Sequence, residues 1–156
     1  MLAVAIALSL STVASVAHAQ TEVSRAPYQQ YVYTGSCSVP CVLNFAAVPA
    51  RHRLEVSNVS CYLRWDAVAN LMYVDNVQLL VLNSSNALIT ASTLAPIPVH
   101  TLDPQVPHSR LTFAANHAVA VFAPAGHHFR AMVDTTGGAA ANFFACHVSG
   151  QMVKLG

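Results

Sequence analysis

Leu54-Glu55-Val56-Ser57-Asn58-Val59-Ser60-Cys61-Tyr62-Leu63-Arg64-Trp65 alternates apolar and polar residues with a single interruption. Leu54 and Val56 share one phase, and Val59, Cys61, Leu63 and Trp65 share the other. The change of phase near Asn58 predicts one long strand carrying a bulge. Period two with one apolar side is the mark of a strand buried on one face, as in antiparallel sheets.

The same reading extends in both directions. Tyr28 to Thr34, Cys41 to Phe45, Val77 to Val81 and Leu88 to Leu94 are strand-like, and Asn83-Ser84-Ser85-Asn86 supplies turn chemistry between the last two. Leu111 to Phe113, Ala118 to Phe122, Phe129 to Val133 and Phe144 to Val148 follow, with Gly150 separating a last short strand from Met152 to Leu155. Pro96, Pro98, Pro104 and Pro107 predict a long ordered loop or crossover between Ala95 and Ser109. Only Asp66 to Tyr73 offers a short helix, with Asp66 as its cap. Some nine to eleven short strands, with turn signals about every ten residues, predict an all-β antiparallel sandwich of jelly-roll or Greek-key type.

Apolar residues make up 54% of the chain and charged residues 8%, against roughly 25% charged in ordinary domains. Two sheets burying their inner faces explain that balance. Leu2 to Val16 followed by Ala17-His18-Ala19 has the layout of a secretory signal peptide, which assigns 1–19 to a cleaved leader and 20–156 to one domain. The apolar stretch is too short to span a bilayer, and no later stretch approaches that length. Six Arg against one Lys, with abundant Ala, is a composition associated with GC-rich bacterial genomes. The expected location is a bacterial periplasm or the extracellular space.

Four cysteines in an exported chain predict disulfides, and the spacing favours Cys37–Cys41 with Cys61–Cys146. The first pair is expected across the mouth of a hairpin, and the second between two apolar strand patterns.

Seven basic and six acidic residues leave a formal net charge of +1, with the basic residues scattered. Nucleic acid needs a clustered positive face and is therefore not an expected partner. No nucleophile elbow, phosphate-binding glycine loop or His-Glu-x-x-His run is present, and Glu22 and Glu55 stand alone in the sequence. No residue is assigned a catalytic role.

Two constellations remain. Were Gly137-Gly138 to turn a hairpin, His147 would face His127 or His128 across two strands, half of a zinc or copper site. The competing reading is that these are polar strand positions in a chain that avoids Lys and Glu. Tyr31 and Tyr33 fall on one face of their strand, and Trp65 ends the long strand beside a loop. Exposed, these rings suit sugar stacking; otherwise they are core or rim packing. The expected function is an exported non-enzymatic binding or structural module with a protein or glycan partner. A carbohydrate-binding sandwich and a metal-binding protein are the alternatives, and homo-oligomers are compatible with uncovered strand edges.

Overall fold

A computed structural model describes residues 22–66, 73–100, 110–136 and 141–156. The leader read over 1–19, most of the short helix, Pro104, Pro107 and the Gly137-Gly138 turn lie outside the described residues.

Nine strands are present among the described residues: β1 (Glu22–Thr34), β2 (Cys41–Asn44), β3 (His52–Asp66), β4 (Tyr73–Leu82), β5 (Leu88–Leu94), β6 (Ile97–His100), β7 (Arg110–Pro124), β8 (His128–Thr136) and β9 (Phe143–Leu155). They form two antiparallel sheets, one in the order β1-β9-β3-β7-β6 and the other β2-β8-β4-β5. The pairs β1 with β9, β2 with β8, β3 with β7 and β4 with β5 are nested and alternate between the sheets. The result is two antiparallel sheets packed face to face as a sandwich, with β6 added outside β7.

The inner faces follow the alternation read in the sequence. Leu54, Val56, Val59, Cys61, Leu63 and Trp65 are all buried, and the register of β3 shifts between Val56 and Asn58, where the bulge was expected. Val77, Leu79 and Val81 of β4 and Phe129, Ala131 and Val133 of β8 meet them from the other sheet. The β4–β5 hairpin forms as read. Asn83 Oδ1 accepts hydrogen bonds from the backbone N–H groups of Ser85 and Ala87, each at 2.9 Å. Asn86 takes the left-handed conformation, with φ 62°, which Asn adopts more readily than most residues.

Three expectations about the chain's punctuation are corrected. The Pro-rich segment contains a strand, β6, which among the described residues pairs only with β7; Pro98 is tolerated because an edge strand has one unpaired side. Leu111–Phe113 and Ala118–Phe122 join into the single strand β7, since Ala114 to His117 contains no Gly or Pro and pairs residue by residue with Val59 to Tyr62 of β3. Gly150 does not end a strand but lies in the middle of β9. A Cβ built there would sit 1.9 Å from the Glu55 carbonyl oxygen and 2.9 Å from Val56 Cα. Glycine is therefore required where β9 runs against the bulge of β3.

Both disulfides form as paired from the sequence. Cys61 and Cys146 stand directly opposite one another on β3 and β9, with Cα atoms 4.1 Å apart, and are buried among the core residues. Cys37–Cys41 does not close a hairpin, because β1 and β2 belong to different sheets. It clamps the corner at which the chain crosses between them, where Cys37 also exchanges two backbone hydrogen bonds with Ala141. Disulfides are characteristic of oxidising compartments. No helix among the described residues is long and apolar enough to cross a membrane.

Candidate functional site

The solvent face of the five-stranded sheet carries the chemistry. Once the inner residues of β1, β3 and β9 are assigned by burial, alternation sends Tyr31, Tyr33, Tyr62, Arg64, Phe143, Ala145 and His147 outward. The register sets Tyr33, Ala145 and Tyr62 in one row across three strands, with Phe143 opposite Arg64 in the next. Tyr31 is 56% exposed, Tyr33 65% and Tyr62 40%. Their rings form one cluster: Tyr31 stacks on Tyr33 with centroids 5.8 Å apart, Tyr33 on Phe143 at 6.1 Å, and Tyr62 meets Phe143 edge-on at 6.1 Å. The Arg64 guanidinium lies 5.9 Å from the Phe143 centroid. Ala145, although outward by alternation, is 3% exposed between the flanking rings of Tyr33 and Tyr62.

Towards the bulge the face changes character. His147, Ser60 and Asn116 form the next row, then Gln29, Ser149 and Asn58. These groups are polar hydrogen-bonding side chains, and Asn58 Nδ2 donates to Asn116 Oδ1 at 3.2 Å. Beyond them an open depression of about 250 Å³ is lined by Arg25, Glu55, Ser57, Phe122, Gly150 and Gln151, among others. It exists because Gly150, Ser57 and Ala120 present little side chain at the bulge.

Charge on its rim is balanced. Arg25 donates to Glu22, to Glu55 Oε2 at 3.0 Å and to Gln151 Oε1 at 3.0 Å; Arg53 Nε donates to Glu55 Oε1 at 3.0 Å. The two glutamates that stand alone in the sequence thus converge on one guanidinium. The hydrogen bond from Arg25 is the main cause holding the Glu22 carboxyl below its ordinary value, and the same bond raises Arg25. Phe122, 56% exposed, lies under Arg53 with 5.9 Å between guanidinium carbon and ring centroid.

The other candidates fall elsewhere. Trp65 is 2% exposed and packs edge-on against Phe113 at 5.9 Å, so its indole belongs to the core. The histidines are not brought together as expected. β8 and β9 lie in different sheets: His128 pairs with Leu82, whereas His147 sits between Tyr31 and Ser60. His127 lies in the turn before β8, its Nδ1 3.1 Å from the Ala125 carbonyl oxygen. Among the described residues no group of three or more His, Cys, Asp or Glu stands close enough to hold a metal ion. Tyr62 and Phe143, which complete the ring cluster, were not singled out from the sequence. The signal for Tyr62 lay in the polar phase of the Leu54–Trp65 alternation, and that for Phe143 in its place one residue out of phase with the buried Phe144, Cys146 and Val148.

Compared with known proteins, the chain matches no family and no curated protein.

Proposed function

We propose that the mature chain is an exported carbohydrate-binding module that recognises its ligand without altering it, and that the ring cluster on the five-stranded sheet is the contact surface. The observation that carries this reading is the grouping of Tyr31, Tyr33, Tyr62 and Phe143 on a solvent face where polar residues are the rule. Sugars offer apolar C–H faces to aromatic rings and hydroxyl groups to neighbouring donors and acceptors. Both are supplied here, the second by His147, Ser60, Asn58 and Asn116. Two disulfides and the leader-like start support an exported location, a bacterial periplasm or beyond.

Retention on insoluble polysaccharides tests the reading. The protein is expected to bind at least one of cellulose, chitin, xylan and mannan. The triple variant Tyr31→Ala, Tyr33→Ala, Tyr62→Ala is expected to lose retention while remaining folded, with only a modest fall in melting temperature, since the three rings lie outside the core and are 40% to 65% exposed. Equal retention of the variant, or retention on none of the four polymers, overturns it. Because Trp65 is buried, its fluorescence is not the appropriate reporter of binding; tyrosine resonances are.

A further inference from the structure

We infer that the depression at the β3 bulge is a second subsite, so that the ligand is an extended, uncharged glycan chain lying along β9 rather than a single sugar. This rests on the carbohydrate reading above but on different residues. The outward positions of β9 run Phe143, Ala145, His147, Ser149, Gln151. Eight residues at about 3.3 Å each make that track about 26 Å long, well beyond the reach of a disaccharide. Its two ends are unlike. Rings crowd the first, and the second combines one half-exposed ring, Phe122, with the Glu55 carboxylate, the Gln151 amide, the Ser57 hydroxyl and the Arg25 guanidinium.

That donor and acceptor set fits hydroxyl groups. Each sugar hydroxyl both donates and accepts, and the depression offers the Gln151 amide NH2 as a donor and the Glu55 carboxylate and Ser57 hydroxyl oxygen as acceptors around one apolar ring, with the Arg25 guanidinium holding the Glu55 and Gln151 side chains in place. Its charges favour a neutral ligand. Glu22 and Glu55 balance Arg25 and Arg53, and the glutamates already occupy the guanidinium donors that an anion would need. Between the two ends, Ser149, Ser60 and Asn58 are uncharged and short and His147 adds a polar ring, which leaves the track open to a chain.

Calorimetric titration of the full mature protein tests the assignment. The probes are disaccharides and hexasaccharides of glucose, N-acetylglucosamine, xylose and mannose. The hexasaccharide of the preferred sugar is expected to bind about tenfold or more tightly than its disaccharide. Gln151→Ala and, separately, Phe122→Ala are expected to abolish that gain while leaving disaccharide affinity unchanged. Tyr33→Ala is expected to weaken both lengths. Equal affinity for the two lengths, or an undiminished gain in both depression variants, overturns the second subsite while leaving the carbohydrate reading standing. Binding of neither length removes the carbohydrate reading itself, and the extended track with it.

Discussion

A single methyl group at position 150 tests the packing of β9 against the bulge of β3. The backbone of Glu55 and Val56 occupies the space a Cβ needs, and backbone cannot rotate away as a side chain can. Gly150→Ala is therefore expected to cost about 3 kcal/mol, at the upper end of ordinary overpacking. It should appear as a lower urea midpoint with an unchanged slope. His128 supplies a second prediction. Burial first, then the nearby charges of Arg130 and His127, hold its pKa below the ordinary 6.5. The fold therefore binds this proton less readily than the unfolded chain does. Above pH 6.5 both states are neutral and the full stability is present. As pH falls below 6.5 the unfolded chain takes up a proton that the fold resists, and stability declines through the lowered folded pKa. His128→Gln is expected to flatten the pH dependence of the urea midpoint in that window.

At the level of strands, the two disulfides constrain different things. Cys61–Cys146 joins neighbouring strands across 85 residues of sequence separation, whereas Cys37–Cys41 closes a separation of 4 at a corner. On a chain-entropy account the larger loop is worth roughly 4.5 kcal/mol and the smaller roughly 2. The double variant Cys61→Ala, Cys146→Ala should therefore lower the melting temperature well beyond Cys37→Ala, Cys41→Ala, measured in the absence of reductant. The alternation that assigned Cys61 and Cys146 to apolar phases also made their pairing legible, together with the β3 bulge and the β4–β5 turn. Period two reports which residues share a face; it does not report which strand lies alongside. Phe129 to Val133 and Phe144 to Val148 are consecutive and equally strand-like, yet they lie in different sheets, and the expected His127 or His128 to His147 pairing disappears with that assignment. Gly150 was misread for a related reason. In sequence, a glycine that breaks a strand and a glycine that lets two backbones approach look alike. The ring cluster was half legible: Tyr31 and Tyr33 share a strand, whereas Tyr62 and Phe143 join them only through the β1-β9-β3 order.

For the whole molecule, the distribution of charge separates a neutral ligand from an anionic one. The chain carries a formal net charge of +1, and the acidic and basic groups around the depression cancel: two glutamates, Glu22 and Glu55, against two arginines, Arg25 and Arg53. A ligand held by ring stacking and hydrogen bonds loses little when mobile ions are added. One held by its own charge loses much, since screening shortens from about 10 Å at 0.1 M salt to about 3 Å at 1 M. A polyanion that contacts several cationic side chains would weaken by orders of magnitude over a smaller range still. Affinity for the preferred neutral oligosaccharide is thus expected to change by less than about twofold between about 0.1 M and about 1 M sodium chloride. Calorimetry at the two concentrations checks it. A steep fall for this neutral probe would contradict ring stacking and hydrogen bonding as the source of its affinity. A flat response leaves the rings and the hydrogen-bonding strip beside them as the source of affinity, in keeping with the cancelled charges around the depression.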